Sequence, residues 1–150
     1  MTSAQAMHNY AKLECEDDLS KPGDKALIAE AQKESKGEAS SNRKVWPLHG
    51  QIEFDNVTMS YRKTLEPAIR NLSFTVQAGM KIGVVGRTGA GKSSIFQALF
   101  RLCELSEGSI KIDGIDTRKL GLHLLRQSIA YIPQQPFLIQ GSVRENLDPF

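Results

Sequence analysis

Residues 86–93 read Gly-Arg-Thr-Gly-Ala-Gly-Lys-Ser, and the loop they form constrains the fold more tightly than any other stretch of the chain. The five residues before it, 81–85 (Lys-Ile-Gly-Val-Val), do not alternate between polar and apolar, as expected of a parallel strand covered on both faces. The residues after it carry Ile95, Phe96, Ala98, Leu99, Phe100 and Leu102, apolar on most sides, which predicts a buried helix over residues 92–103. A strand, a loop of the form G-x-x-x-x-G-K-[ST] and a helix in that order make a cradle for a polyphosphate. Backbone N–H groups must converge on one point there, and Gly86, Gly89 and Gly91 allow the close wrapping this needs. The helix start adds roughly half a positive charge beneath the phosphates. Lys92 would reach the β and γ phosphates, and the Ser93 hydroxyl would ligate Mg²⁺. Arg87, Thr88 and Ala90 complete the loop, and Ser94 is read first as a helix-start residue beside it. The alternative is a glycine-rich connector that binds nothing, and the correct flanking elements weigh against it.

The rest of the composition narrows the setting. At 150 residues the chain has room for about one domain. With 19 basic and 17 acidic side chains it carries a net charge of +2, and no basic arm suggests a nucleic-acid partner. No apolar run approaches the roughly 18 residues needed to cross a bilayer, and the start of the chain lacks the basic and apolar regions of a secretory signal. Cys15 and Cys103 have neither metal-ligand spacing nor a disulfide framework. Free thiols in a reducing, cytosolic setting are expected.

Two regions are expected. Residues 1–45 contain no Phe and no Trp, whereas the remainder holds all 6 Phe and the single Trp. They read as an extension, with helical pieces over residues 4–15 and 24–33, the second capped by Asp24, and a linker over residues 35–43. From residue 50 the pattern is of strands. Ile52 and Phe54 share one parity, while Val57, Met59 and Tyr61 share the other, so a turn or bulge is expected at Asp55 and Asn56. A second run, Leu72, Phe74 and Val76, predicts an antiparallel partner that ends at Gly79. A strand over residues 109–112, a turn at Asp113 and Gly114, a helix over residues 122–127 and a strand over residues 129–132 follow. His123 is expected on a helix surface and Cys103 in the core.

The region of residues 46–150 resembles the first part of an ATP-binding cassette (ABC) domain. The resemblance rests on residues 50–54 (Gly-Gln-Ile-Glu-Phe), Tyr61 and Arg62, residues 71–74 (Asn-Leu-Ser-Phe), residues 83–85 before the cradle, and Ile132-Pro133-Gln134. It narrows to the second nucleotide-binding domain of multidrug-resistance-associated transporters, through residues 86–94, 112–116, 121–126 and 146–150. The fold implied is α/β, a P-loop NTPase (ABC ATPase) core with an antiparallel β subdomain, truncated before the helical subdomain. The ligands implied are ATP and Mg²⁺, with Gly86, Arg87, Thr88, Gly89, Ala90, Gly91, Lys92, Ser93 and Ser94 around the phosphates. Tyr61 would stack on the adenine, a role that suits an aromatic face. Gln134 would touch Mg²⁺ or the attacking water, making Lys92 and Gln134 the catalytic pair and Ser93 and Gln134 the metal contacts. The partners implied are intracellular loops of a transmembrane domain and a second nucleotide-binding domain that completes the site. The setting implied is the cytosolic face of a membrane, with residues 1–45 following a transmembrane domain. Gln135 and Ile139-Gln140 depart from the subgroup's usual residues, which bears on contacts to the transmembrane loops.

Hydrolysis needs carboxylates beyond the cradle. Residues 110–113 (Ile-Lys-Ile-Asp) come nearest to an acid-tipped strand, but Lys111 and Gly114 make this a turn. The Leu-Ser-Gly-Gly-Gln signature and the switch histidine do not occur in these residues. A fragment of a transporter ATPase, inactive alone, is the leading expectation. A regulatory module that binds nucleotide without turnover is the alternative, and a soluble cassette ATPase is a third reading. Loss of the neighbouring strand would leave residues 81–85 as an apolar edge.

Overall fold

The structure, a computed structural model, describes residues 16–34, 46–62, 64–135 and 137–148. Its elements are α1 (Asp24–Glu34), β1 (Ile52–Met59), β2 (Ile69–Val76), α2 (Lys92–Leu99), β3 (Glu107–Ile112), β4 (Ile115–Asp116), a 3-10 turn (Thr117–Lys119), α3 (Leu122–Gln127) and α4 (Val143–Leu147). The strands form one antiparallel sheet in the order β2-β1-β3-β4.

The parity change in β1 has the expected cause. Phe54, Val57 and Met59 are all buried, although 54 and 57 differ by an odd number and a regular strand would turn them to opposite faces. The pairing with β2 shifts register between Phe54 and Val57, and Asn56 takes a φ of 47°. One extra residue therefore returns both side chains to the core. Gly108 of β3 lies against this bulge with φ 82°, and a Cβ there would stand 2.4 Å from the carbonyl oxygens of Asp55 and Asn56. Across β1 and β2, Phe54 and Phe74 stack with ring centroids 4.5 Å apart. Ala98 and Leu99 of α2 and Leu125 of α3 join the same core, with Trp46.

Asp113 and Gly114 form the expected turn, with φ of 49° and 79°. The Asp113 carboxylate accepts N–H bonds from Leu48 (2.7 Å), His49 (3.0 Å) and Gln51 (2.8 Å), so it pins the chain entering β1. Its role is structural.

Several expectations require correction. Residues 81–85 belong to no strand, and Val85 is 96% exposed. A parallel strand draws its hydrogen bonds from distant neighbours, and none of the described residues supplies one. Residues 129–132 are likewise outside any strand, with Ile132 exposed. Helix α2 ends at Leu99 and not near residue 103, because Phe100 closes it and Arg101 takes a φ of 50°. Nor is α2 buried all round: Phe96 is 47% exposed. Helix α3 matches its expected bounds, and His123 is exposed on it. Cys103 is half-buried against the core, and burial pushes its thiol pKa up.

Helix α1 forms over the expected stretch, but the Asp24 carboxylate looks outward from it. It accepts from the Lys21 N–H (3.0 Å) and from the Gly121 N–H (2.9 Å), tying the residues before α1 to the start of α3. The helix expected over residues 4–15 and the linker over residues 35–43 lie outside the described residues.

Candidate functional site: the glycine loop and its surroundings

The loop turns back on itself through the Ala90 N–H, which donates to the Arg87 carbonyl (3.1 Å). Gly89 and Gly91 take φ of 83° and 80°, values that an L side chain rarely adopts. Gly91 is fixed from a second side, since a Cβ there would lie 2.7 Å from the Ala68 carbonyl oxygen just before β2. The antiparallel sheet thus seats the loop through backbone contact.

Gly91 is the N-cap of α2. It offers no side chain to the first-turn N–H groups, and the first turn holds no acidic residue. A helix start without an anionic or hydroxyl cap keeps its positive end available to a bound anion. The Lys92 ammonium donates to the carbonyls of Gly86 (2.6 Å) and Arg87 (2.7 Å), so its charge is held against the loop. Those carbonyls are exposed hydrogen-bond partners that a phosphate oxygen can replace.

Tyr61, Gly89, Gly91, Lys92, Ser93 and Ser94 line one cavity of about 280 Å³, together with Ala68. The Tyr61 and Ser94 hydroxyls lie 2.7 Å apart, which fixes the ring beside the first turn of α2. Ser94 is only 5% exposed, and Tyr61 is 47% exposed. The residue is therefore partly exposed while its polar tip is anchored. Tyr61 lies beyond the end of β1 at Met59, in a bend and not in the strand itself.

Ser93 also lines a second cavity of about 710 Å³, with Gln134, Gln97 and the apolar Phe96, Phe100, Tyr131 and Ile132. The ring of Tyr131 meets those of Phe96 and Phe100 at centroid distances of 6.1 and 5.8 Å. Ser93 and Gln134 thus line one space. A hydroxyl and an amide oxygen, with phosphate oxygens and water, suit the hard, partly hydrated coordination of Mg²⁺. Among the described residues no group of three His, Cys, Asp or Glu side chains could hold a metal on its own. The chemistry of this donor set therefore fits a cation that arrives with a phosphate ligand.

Arg87, Thr88 and Gly86 lie on the exposed loop. The Tyr61–Ser94 bond was not legible in the sequence, because 33 positions separate the two residues. Asn146 also has a role that sequence reasoning missed. Its side chain exchanges hydrogen bonds with the Ile139 backbone, N–H to Oδ1 at 2.8 Å and Nδ2 to carbonyl at 2.9 Å, closing the loop before α4. Ser142 and Glu145 form a capping box at the start of α4.

A G-x-x-x-x-G-K-S loop that opens an uncapped helix, with Tyr61 in the bend after β1 beside it, has the form of a P-loop. The ABC transporter family matches residues 69–148, and the chain belongs to that family. It is 60% identical over 105 residues, 70% of its length, to the ABC-type transporter cicA of Emericella nidulans, of which it covers 8%. It is 54% identical over 79% of its length to ABC transporter C family member 13 of Arabidopsis thaliana, again covering 8%. A match reaching further along the chain, 96% of it at 44% identity, is to ABC transporter C family member 13 of Dictyostelium discoideum, of which it covers 11%. The resemblance to the C branch read from the sequence is thereby borne out. The chain spans about a tenth of the length of these relatives. No described helix is long and apolar enough to cross a membrane.

Proposed function

We propose that this chain binds Mg²⁺-ATP as the front part of a nucleotide-binding domain whose ATP hydrolysis drives transmembrane export of an organic substrate. The observation that carries the reading is the single cavity shared by Tyr61, Gly89, Gly91, Lys92, Ser93 and Ser94, with Ser93 also facing Gln134. Tyr61 offers its exposed ring to the adenine face, which asks for area and few hydrogen bonds. The loop N–H groups and the start of α2 receive phosphate oxygens. Lys92 exchanges its loop carbonyls for the β and γ phosphates. The Ser93 hydroxyl would hold the metal, the Gln134 amide would touch Mg²⁺ or the attacking water, and Mg²⁺ would neutralise the charge shared by the terminal phosphates. Catalytic carboxylates, the signature motif of a second nucleotide-binding domain and the loops of a transmembrane domain complete the machine. It would work at the cytosolic face of a membrane, and residues 1–45 would lead into the domain from the transmembrane part.

The test is ATP turnover by the intact protein that carries these residues, alongside its Gln134→Ala variant. Turnover in that variant is expected to fall about a hundredfold while ATP affinity stays within a few-fold, because water positioning acts on the chemical step. Turnover equal to that of the parent would remove Gln134 from the mechanism.

A further inference from the structure

The far end of α2, away from the loop, meets a segment that the nucleotide reading does not use. Residues 16–24 cross the corner where α2 ends and α3 begins. The first-turn N–H groups of α3 have no side-chain cap, and the segment satisfies them with its backbone: Leu122 donates to the Asp18 carbonyl (3.1 Å) and His123 to the Leu19 carbonyl (2.8 Å). Gly121 admits this approach, since a Cβ there would lie 2.7 Å from the Ser20 Cα and 2.8 Å from the Leu19 oxygen.

Charge follows the same line. Glu16 takes both prongs of the Arg126 guanidinium (3.0 and 2.8 Å), and Arg126 also donates to the carbonyls of Phe100 (3.2 Å) and Arg101 (3.0 Å), where α2 has just ended. Arg101 is 6% exposed and donates to Asp17 (2.8 Å) and Glu104 (2.7 Å). A guanidinium this buried needs its carboxylates, and the segment supplies one of them. Lys21 donates to Asp17 (2.6 Å) and to the Arg118 carbonyl (2.7 Å), closing the segment onto the turn before α3.

Both ends of α2 are thus held, one by the phosphate loop and the other through Arg101 and Arg126 by residues 16–24. A single short helix carries a shift at one end to the other. We propose that residues 16–24 are a latch on the corner of Arg101, Arg126 and Gly121, and that latch docking and nucleotide binding at Lys92, Ser93 and Ser94 are coupled through α2. This inference rests on the nucleotide reading above. It places residues 16–24 in series with the phosphate helix, so a displacement of that segment reaches the nucleotide.

The experiment uses the intact protein, its Glu16→Gln/Asp17→Asn double variant and Gly121→Ala as an independent way to lift the latch. Glu66→Gln, which breaks the exposed ion pair with Arg70, is the control. Hydrogen exchange at the Leu122 and His123 amides reads docking, and titration with a fluorescent ATP analogue reads the site. Both latch variants are expected to exchange faster at those two amides and to shift ATP affinity at least about threefold, with the control unchanged. By reciprocity, ATP alters exchange at Leu122 and His123 in the parent. Unchanged exchange in both variants overturns the latch, and faster exchange with unaltered ATP affinity overturns the coupling. If the parent itself takes up no ATP, the nucleotide reading fails and the coupling with it. That case is distinct, because the exchange contrast at Leu122 and His123 is still recorded.

Discussion

Tyr61 combines two separable features, a partly exposed side chain and a hydroxyl tied to the buried Ser94. Tyr61→Phe leaves the Ser94 hydroxyl without its partner and is expected to cost about 1 kcal/mol of folding stability, measured by urea unfolding, while ATP affinity stays within about threefold. Tyr61→Ala removes the stacking face and is expected to weaken ATP binding about tenfold. Equal affinities for both variants would mean that the ring does not meet the base. The aromatic residue and the loop were each visible in the sequence, the loop through its glycine spacing and Tyr61 through resemblance. Their hydrogen bond was not, since local patterning is blind to contacts between separate elements. Arg101 was hidden for the same reason: it looks like an ordinary charged residue after a helix, yet the structure buries it among carboxylates and carbonyls.

At the scale of elements, the bulge in β1 and the glycine facing it form one device. Gly108→Ala would drive a Cβ into the Asp55 and Asn56 carbonyls at a strained φ, and a loss of about 2 kcal/mol or more is expected by urea unfolding. Gly114→Ala shares the positive φ but meets nothing within 4 Å, so about 1 kcal/mol is expected there. Equal losses at the two sites would show that backbone conformation alone sets the cost. The bulge was legible because side-chain parity is a local property of a strand. Helix α3 was legible for a similar reason, through its compact apolar spacing over Leu122–Gln127. The expected strands at residues 81–85 and 129–132 failed because their continuous apolar pattern describes burial between layers. In the described residues those layers are missing, and Ile82, Val85 and Ile132 remain exposed. The rings of Phe96, Phe100 and Tyr131 line a cavity together with Ile132.

For the whole molecule, membership of the ABC transporter family gives the loop its setting, and the latch gives residues 16–24 a place in it. The latch has a defined pH dependence. The Arg126 hydrogen bond holds the Glu16 carboxyl below its ordinary value, and Lys21 followed by Arg101 holds that of Asp17 well below the usual carboxylate range. Depressed folded-state values mean that the latch contribution is fully present above the ordinary carboxylate range of about 4, and is lost as the solution is acidified through the lower folded values. The stability difference between parent and the Glu16→Gln/Asp17→Asn variant is therefore expected to be constant from about pH 6 to pH 8 and to shrink below about pH 4, read by denaturant titration. A difference that grows on acidification would contradict the ion-pair account.

The loop at residues 86–93 is proposed to receive the phosphates of ATP. Calorimetric titration of ATP with excess Mg²⁺ into the intact protein and its Lys92→Ala variant, side by side, tests it most directly. Loss of a charge-assisted contact to the phosphates is expected to weaken binding by about tenfold to a hundredfold, with the fold of the variant intact. Indistinguishable affinities in parent and variant would contradict the assignment of the phosphate cradle.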